Sequence, residues 1–461
     1  MQPLNDELED SSKFKDFYTS SARKCFVSKT GILKEKVWKI LEDNRKPIIE
    51  TCRDLIRIPT PNPPAVTKEL CYYIRDFLRE RGHESDLHDF GDGVIALTSS
   101  YKFSDGGGRS IILYAHGDVV PSGERDRWLH DPYAADIVDN KIVGRGACDM
   151  KSGLTASLWA YATCAEVVSD ITGKMVLFIC PDEENWIFAE DVWGTTNKLL
   201  EEGVLRGSAC IMGEPTGLRR ICVGEKGDYW IRLKVKGEPA HGSMPPLGEN
   251  AIEKAFTAIR AILKLGNIRI VQSKTVKSLL PNSKKVIREA FTSANKKPKI
   301  YSIYRLLDGI SINIGTIRGG TMINIVADFA EVEIALCIPI GMTREKTRRL
   351  VEKSLSKAGL KDVVIEEISS GAAGPSYTNP KDPIVRCIST NIKEVTGDEP
   401  LIYIQPSTSD ASPFRLRGIP TCWIGPGDLR DAHTFHEYVY IDDILAATKI
   451  HAGTVMDYLS D

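Results

Sequence analysis

Short apolar runs alternate with helical segments through the first half of the chain, and each run is followed closely by an acidic residue or a histidine. The runs 110–115, 174–180 and 209–212 are almost wholly apolar, which is typical of strands buried on both faces. Segments with apolar residues at helical spacing, such as 154–165 and 196–202, separate them. Strands that alternate with helices in this way predict an α/β domain with a mostly parallel sheet.

The pattern changes near residue 226 and returns near residue 375. Between these points, apolar and polar residues alternate along 229–235 and 325–338, as in strands with one exposed face. Helical spacing appears over 250–265, so we expect an inserted α+β domain with two layers. The expected organisation is an N-terminal extension (1–36), an α/β domain in two parts (37–225 and 375–461) and the inserted domain (226–374).

The N-terminal extension is defined by its lack of a periodic apolar pattern. Helical spacing begins at Val37 and continues to Ile58, after which Pro59 and Pro61 stop the helix. We therefore expect one long helix after the extension.

Charge and cysteine content exclude several classes of protein. The chain has 60 Lys and Arg against 62 Asp and Glu, a balance without general attraction to nucleic acid or anionic membranes. No stretch reaches the roughly 18–20 apolar residues that a membrane helix needs. The polar N-terminus predicts no secretory signal. The 11 cysteines are odd in number and form no Cys-x-x-Cys, which favours free thiols in the cytoplasm over disulfides or structural zinc.

A basic segment, 264–305, holds 11 lysines and arginines against the single acid Glu289. A solvated loop and helix face explain such a run most simply. The alternative, a surface for an acidic partner or nucleic acid, is weaker because aromatic residues are not interleaved with the charges.

Five segments carry acidic residues or histidines after predicted strands or in glycine-rich loops. Open α/β sheets build their sites from side chains at the carboxyl ends of strands. The candidate residues are His116 and Asp118, then Asp149, then Asp182, Glu183 and Glu184, then Glu214, and finally His433, His436 and Glu437.

These residue types suit a metal site. Two histidines with three or four carboxylates favour a carboxylate-bridged pair of hard or borderline divalent cations. An isolated acidic residue in a loop is usually just solvated, so the joint occurrence of five segments carries the prediction. Asp118 can accept the second imidazole N–H of His116 and fix its tautomer. Because adjacent side chains diverge, one of Glu183 and Glu184 can bind metal while the other remains a free base.

The segments HGDVVP, GRGACDMKSG, DEE, GEPTG and GEPAHGSMP, in this order, resemble the M20 family of zinc peptidases and deacylases. The resemblance spans about residues 37–461, is most specific over 128–153, and is strongest to acetylornithine deacetylase and succinyl-diaminopimelate desuccinylase. It implies two divalent metal ions per subunit. Zinc is the expected metal, and cobalt and manganese are the alternatives. It also implies that the inserted domain is a lid through which the chain forms a homodimer.

The resemblance implies which residues bind metal, with Asp149 bridging the two ions. His433 and His436 compete for one position. The family pattern, Ala-His followed after a few residues by an acid, matches Ala432-His433 with Glu437. The implied ligands are His116, Asp149 and Glu214 for one ion, and Asp149, Glu184 and His433 for the other.

The same resemblance implies catalytic and substrate-binding roles. Glu183 is the implied general base, and Asp118 is also assigned as a catalytic residue. His241, in GEPAHGSMP, corresponds to a histidine that reaches across a dimer to stabilise the oxyanion. The implied substrate-binding residues are Asn324, Thr408 and Ser409.

The sequence departs from the family at two places. The lid strand has Ala335, Leu336 and Cys337 where the family commonly has Asp-x-Arg, whose arginine binds the substrate carboxylate. A longer loop follows Glu184, in place of a glycine-rich turn. Both departures border the expected substrate pocket.

The expected reaction is hydrolysis of the amide of a small N-acyl amino acid, of the deacetylase or desuccinylase type. Within the family, glutamate at position 214 resembles the deacylase and carboxypeptidase branch. A metallodipeptidase or carboxypeptidase acting on a short peptide is the first alternative. A non-catalytic metal-binding scaffold is the second, and the intact base and ligands argue against it.

Overall fold

The computed structural model describes residues 29–104, 107–169, 171–184, 194–293, 306–368 and 374–460. Residues 1–28 of the predicted extension, 185–193 of the loop after Glu184, and 294–305 of the basic segment lie outside these ranges. The α-helices are α1 (Lys29–Asp43), α2 (Arg45–Arg57), α3 (Lys68–Glu80), α4 (Lys151–Val167), α5 (Gly194–Glu201), α6 (Ala251–Leu263), α7 (Lys274–Ser293), α8 (Arg344–Lys357), α9 (Pro383–Thr396), α10 (Ala411–Leu416) and α11 (Ile441–Ser460).

The strands form three sheets. They are β1 (Asp86–Asp89), β2 (Ile95–Lys102), β3 (Ser110–His116), β4 (Asp136–Val138), β5 (Lys141–Val143), β6 (Lys174–Cys180), β7 (Ala209–Met212), β8 (Arg220–Glu225), β9 (Gly227–Lys236), β10 (Ser311–Gly319), β11 (Phe329–Ile338), β12 (Val364–Glu367), β13 (Ser376–Tyr377), β14 (Leu401–Gln405), β15 (Thr421–Trp423) and β16 (Tyr438–Tyr440).

The central sheet has nine strands in the order β1-β2-β6-β3-β7-β15-β8-β13, with β14 also paired to β8. Its middle strands β6, β3, β7 and β15 are parallel, whereas β1 and β2 on one side and β13 on the other pair antiparallel. The α/β fold class is therefore confirmed, with a mixed sheet whose parallel part lies at its centre. The apolar runs predicted as buried strands are β3, β6 and β7.

Helices cover the central sheet, and α4 is the most deeply buried of them. It packs on β3 and against α2 and α11, and its buried residues run from Lys151 to Ala165. Its nearly all-round burial explains why its sequence lacks a polar face.

The predicted N-terminal helix is two helices, α1 and α2, interrupted at Asn44. Helix α1 begins inside the predicted extension and is docked on the C-terminal helices. The Lys34 Nζ lies 2.9 Å from Glu394 Oε2 and 2.6 Å from Asp457 Oδ2, and the Lys34 side chain is only 6% exposed. A buried, doubly paired lysine ties this segment to the fold, which an analysis of apolar periodicity alone does not detect.

The inserted segment contains a separate antiparallel sheet in the order β10-β11-β9-β12. Helices α6 and α8 pack together beside this sheet and share one apolar core with it, which includes Ala255, Ile262 and Val351. This is the expected α+β two-layer arrangement. Helix α7, although it comes from the same segment, packs on β14 of the central sheet.

A third, three-stranded sheet joins distant parts of the chain, because β16 pairs with β5 and β5 with β4. This pairing brings the loop before β16 next to the loop after β5. Among the described residues, no helix is both long enough and apolar enough to cross a membrane.

Candidate metal centre

Three parallel neighbours of the central sheet end at the same edge. Strand β3 ends at His116, and β6, paired with it in register, ends at Cys180, four residues before Glu184. Strand β7 ends two residues before Glu214. The carboxyl ends of parallel strands therefore deliver a histidine and two glutamates to one place, as expected for an open α/β sheet.

The remaining ligand candidates arrive on two loops. Asp149 lies just before α4, and the backbone N–H groups of Cys148 and Asp149 donate to Glu437 Oε1 at 2.9 and 3.0 Å. Arg145 also pairs with Glu437. The N–H of Gly144 donates to the carbonyl oxygen of Glu437 at 3.1 Å. Glu437 thus fastens the Asp149 loop to the loop that carries His433.

These elements form two groups of potential metal ligands that share Asp149. In the first, His116 Nε2 lies 3.2 Å from Asp149 Oδ1 and 3.7 Å from Glu214 Oε1. In the second, His433 Nε2 lies 3.3 Å from Asp149 Oδ2 and 3.1 Å from Glu184 Oε1. The ligand atoms of each group all lie within 4.8 Å of one another. The two oxygens of Asp149 thus face different groups.

His436, the competing histidine, lies outside both groups of described ligand candidates, and its ring is exposed. His433 instead has a φ of 60°, in the left-handed region that a non-glycine residue seldom adopts. Such a conformation is costly unless the surroundings impose it, and it is often found at functional sites.

The electrostatics of the centre are those of crowded, buried acids. Burial, reinforced by Glu214 and Glu184, raises the pKa of Glu183 well above its ordinary value. Burial and the neighbouring Asp149 raise the pKa of Glu184 and Glu214. Burial also disfavours the ionised form of Asp149, but hydrogen bonds from His116 and His433 outweigh it and lower the Asp149 pKa. Divalent cations would relieve this repulsion directly.

The residues present fit such cations. The Oε1 atom of Glu214 is buried and accepts no hydrogen bond from the described part of the chain, although it faces the first group. A buried carboxylate oxygen without a donor is costly unless something else neutralises it. Two imidazoles and three carboxylates, without a thiolate, suit borderline or hard divalent ions.

Asp118 supports the centre in a way that differs from the expectation. The Nδ1 atom of His116 lies 2.9 Å from the Asp118 carbonyl oxygen and 3.4 Å from its carboxylate, so the shorter contact fixing the imidazole is to the backbone. The Asp118 carboxylate instead accepts the backbone N–H groups of Glu183 and Glu184, at 3.1 and 2.9 Å.

A cavity of about 390 Å³ opens beside the two groups. Of the residues to which the resemblance assigns catalysis or substrate binding, Glu183 and Thr408 line it, whereas Ser409 does not. The Ser409 hydroxyl points inward and donates to Glu225 Oε2 at 2.7 Å, and Ser407 lies on the cavity wall instead. Three further lining residues, Trp230, Trp423 and Leu429, were not predicted from the sequence.

Two of the predicted site residues lie on the inserted domain and do not line this cavity. His241 is exposed, and its Nδ1 lies 2.7 Å from Ser243 Oγ. Asn324, also exposed, lies in the connection between β10 and β11, and its carbonyl oxygen accepts the N–H of Gly242 at 2.7 Å. The structure therefore places His241 and Asn324 side by side, outside the lining of the cavity of their own chain.

Comparison with known proteins identifies the family. The model of peptidase family M20/M25/M40 matches residues 112–457, a range that contains every residue of both ligand groups. The chain belongs to this family. It is therefore a hydrolase that acts on amide bonds. The scaffold alternative has no support from this finding.

Relatives and solved structures of the M20 family agree with the whole fold. The chain is 28% identical to succinyl-diaminopimelate desuccinylase of Nitrosomonas eutropha over 382 residues, covering 81% of this chain and 89% of the relative. It resembles the structure of an M20 family metallo-carboxypeptidase from Sulfolobus solfataricus with a TM-score of 0.75 at 20% identity, covering 89% and 99% of the two chains. A dinuclear metal-binding M20 peptidase from Bacillus subtilis matches with a TM-score of 0.63 at 16% identity, covering 91% and 99%.

Proposed function

We propose that this M20 protein is a cytoplasmic deacylase that hydrolyses the amide bond of an N-acyl amino acid. The observation that carries the proposal is the position of Asp149 between two ligand groups, next to a cavity that Glu183 also lines. Desuccinylases among its relatives support a deacylase.

The proposal includes two divalent cations, with zinc as the expected metal. One would be held by His116, Asp149 and Glu214, and the other by Asp149, Glu184 and His433. When bound, such ions polarise a carbonyl oxygen and lower the pKa of a water molecule.

Glu183 is the proposed general base. Its backbone is fixed by Asp118, while its carboxylate is absent from both ligand groups and remains available at the cavity. The raised pKa suits a carboxylate that accepts a proton from the attacking water and then passes it to the leaving amine. Thr408 and Ser407 on the wall would orient the substrate.

The proposal includes a homodimer formed through the inserted domain. His241 and Asn324 lie together on an exposed face and do not line the cavity of their own chain. Beside them, Met322 and Ile323 are 61% and 104% exposed, an apolar surface of the kind that marks contact sites. In a dimer, His241 would donate a hydrogen bond to the oxyanion developing in the other subunit.

A metallodipeptidase or carboxypeptidase remains the second candidate, because the fold resembles that of a metallo-carboxypeptidase over almost its whole length. A substrate panel with protein loaded with zinc, cobalt or manganese separates the two. The panel contains N-acetylornithine, N-succinyl-diaminopimelate, further N-acyl amino acids and free dipeptides. Hydrolysis of N-acyl amino acids over dipeptides supports the deacylase. The reverse preference supports the peptidase, and no amide hydrolysis with any metal contradicts both.

A further inference from the structure

A second cavity, of about 370 Å³, lies between helix α7 and the central sheet. Ile287, Ala290 and Phe291 of α7 form one wall, and Tyr403 and Ile404 of β14 contribute to another. Its size falls within the range of roughly 300–1,000 Å³ that is usual for small-molecule sites, and such sites are mostly apolar.

This cavity adjoins the candidate metal centre. Leu429 lines both cavities. Pro215, on the wall of the second cavity, directly follows the ligand candidate Glu214, and Pro406 directly precedes Ser407 of the first cavity. A substrate held at the metal centre would therefore have the second cavity next to it.

Helix α7 is bound to β14 just before the residues that form the wall. Its Asn282 side chain donates to the Ile402 carbonyl oxygen at 2.9 Å, and its Ser283 hydroxyl accepts the Ile404 N–H at 2.9 Å. In the described sheet, β14 pairs with β8 on one side and with no strand on the other. Helix α7 thus provides hydrogen-bond partners for backbone groups of β14. Beyond Ser283, the apolar face of α7 continues along the cavity. The wall is therefore formed by a helix that is hydrogen-bonded to the central sheet.

The charged residues at the cavity compensate one another. Arg220 pairs with Glu289 Oε2 at 2.8 Å and with Asp428 Oδ2 at 3.0 Å. Arg430 also pairs with Asp428, at 2.7 Å. Arg220, Asp428 and Arg430 line the cavity, whereas Glu289 pairs with Arg220 without lining it. Both guanidinium groups are therefore already paired with carboxylates, so neither is left unpaired to bind a charged group such as a succinyl carboxylate.

We propose that this second cavity receives an apolar part of the substrate, an alkyl or aromatic group, while the adjoining amide is hydrolysed at the metal centre. The inference rests on the proposed function and narrows its substrate class to N-acyl amino acids with a bulky apolar substituent. Helix α7 of the basic segment thus gains a role through its apolar face, and its Lys274, Lys277 and Lys285 are exposed.

Two substrate series test this proposal and distinguish the two ends of the substrate. In one, the amino acid is constant and the acyl group is acetyl, hexanoyl or decanoyl. In the other, the acyl group is acetyl and the amino acid is glycine, leucine or phenylalanine. We expect kcat/KM to rise at least about tenfold along one series. The reason is that a hydrophobic pocket discriminates by about 10–200-fold between substrates that differ by one methylene group.

The variant Ala290→Trp fills the cavity without altering a ligand candidate. It should abolish the gain for the bulky substrates and leave N-acetylglycine within about twofold of the wild type. Lys285→Trp, on the exposed side of α7, is the matched control and should change neither. If Ala290→Trp does not fold, Phe291→Ala, which enlarges the cavity, should instead shift the preference to a longer or bulkier substituent.

Binding measured by calorimetry separates failure of this inference from failure of the proposed function. Wild-type protein should bind decanoate or phenylalanine amide more tightly than acetate or glycine amide, and Ala290→Trp should lose that difference. If amides are hydrolysed without preference for apolar groups and no such binding difference appears, the cavity is internal packing and the inference is wrong. If binding follows the prediction but no amide is hydrolysed, the proposed reaction is wrong and the apolar site stands.

Discussion

The carboxylate of Asp118 accepts the backbone N–H of Glu184 at 2.9 Å, so a side chain at the end of β3 holds the turn that follows β6. The same carboxylate accepts the N–H of Glu183 at 3.1 Å and the side-chain amide of Asn62 at 2.8 Å. Asp118 is itself fully buried. It is thus a positioning residue for both the proposed base and a proposed metal ligand.

We expect Asp118→Asn to disturb this turn, because an amide presents only one oxygen to two N–H groups. Metal affinity should fall about 10–100-fold, as is usual when a group orienting a ligand is lost, and kcat should fall with it. Metal titration followed by kinetics at saturating metal measures the two effects. Asn62→Ala, which keeps both N–H contacts, is the control and should have a smaller effect. Equal losses in both variants would contradict this role.

Metal content tests the shared ligand Asp149. The wild type should bind two divalent ions per chain, and His433→Ala, which removes one ligand of the second group, should retain about one under the same dialysis. Elemental analysis of protein of known concentration gives the ratio. His436→Ala, three residues along the same loop, should still bind two. A single ion in the wild type, unaffected by His433→Ala, would rule out the paired site.

Glu183→Gln keeps the shape of the proposed base but cannot accept a proton. We expect both ions to remain and kcat to fall by at least about 10²-fold, the scale expected for a positioned general base. Elemental analysis and steady-state kinetics on the same preparation check this. Glu202→Gln, on the exposed surface, should match the wild type. Turnover near the wild-type level in Glu183→Gln would exclude Glu183 as the base.

Subunit mixing tests whether His241 acts across a dimer. His241→Ala alone should lower kcat by about 10²–10³-fold, the loss expected for one oxyanion donor. When His241→Ala and Glu183→Gln chains exchange, one site of each mixed dimer combines an intact Glu183 with the His241 of the other chain. Activity should return to at most about half that of the wild type per mixed dimer.

The exchange itself needs an independent check, such as native mass spectrometry of differently tagged chains. The two unmixed variants, taken through the same procedure, are the control. If mixed dimers form and remain inactive, His241 does not act in the neighbouring site.

His451 predicts acid-sensitive stability. Its ring is fully buried, and Nε2 donates to the Ile424 carbonyl oxygen at 2.7 Å. Burial lowers its pKa to about 4. Between that value and the unfolded pKa of about 6.5, the unfolded chain binds more protons, so stability is lost as the pH falls. The free energy of unfolding then falls by about 1.4 kcal/mol per pH unit, which is about 3 kcal/mol over the whole interval between the two pKa values.

We therefore expect His451→Gln, which can still donate to Ile424, to lose less stability than the wild type between pH 7 and pH 4. Urea unfolding of the metal-free proteins at several pH values measures the difference. His436→Gln, at an exposed position, should follow the wild-type curve. Parallel pH dependence in the wild type and in His451→Gln would show that His451 is not the titrating group.

The central strands and the ligand candidates could be predicted because their signals are local. A run such as 174–180, which is apolar at almost every position, indicates a strand covered on both faces. Acidic residues just after such a run are then expected at the carboxyl end of the strand. The antiparallel outer strands could not be predicted in the same way, since strand direction depends on connections and pairing rather than on composition.

Residue types and the order of segments in the sequence were enough to indicate the α/β class and the metal-ligand candidates, and the resemblance of its motifs to the M20 family indicated the family. Only the tertiary structure shows Ser409 facing Glu225, the Asp118 carboxylate holding the Glu183–Glu184 turn, and α7 closing an apolar cavity beside β14. Each of these depends on contacts between residues at least 65 positions apart. Such contacts are set by packing, and neighbouring residues in the sequence carry no record of them.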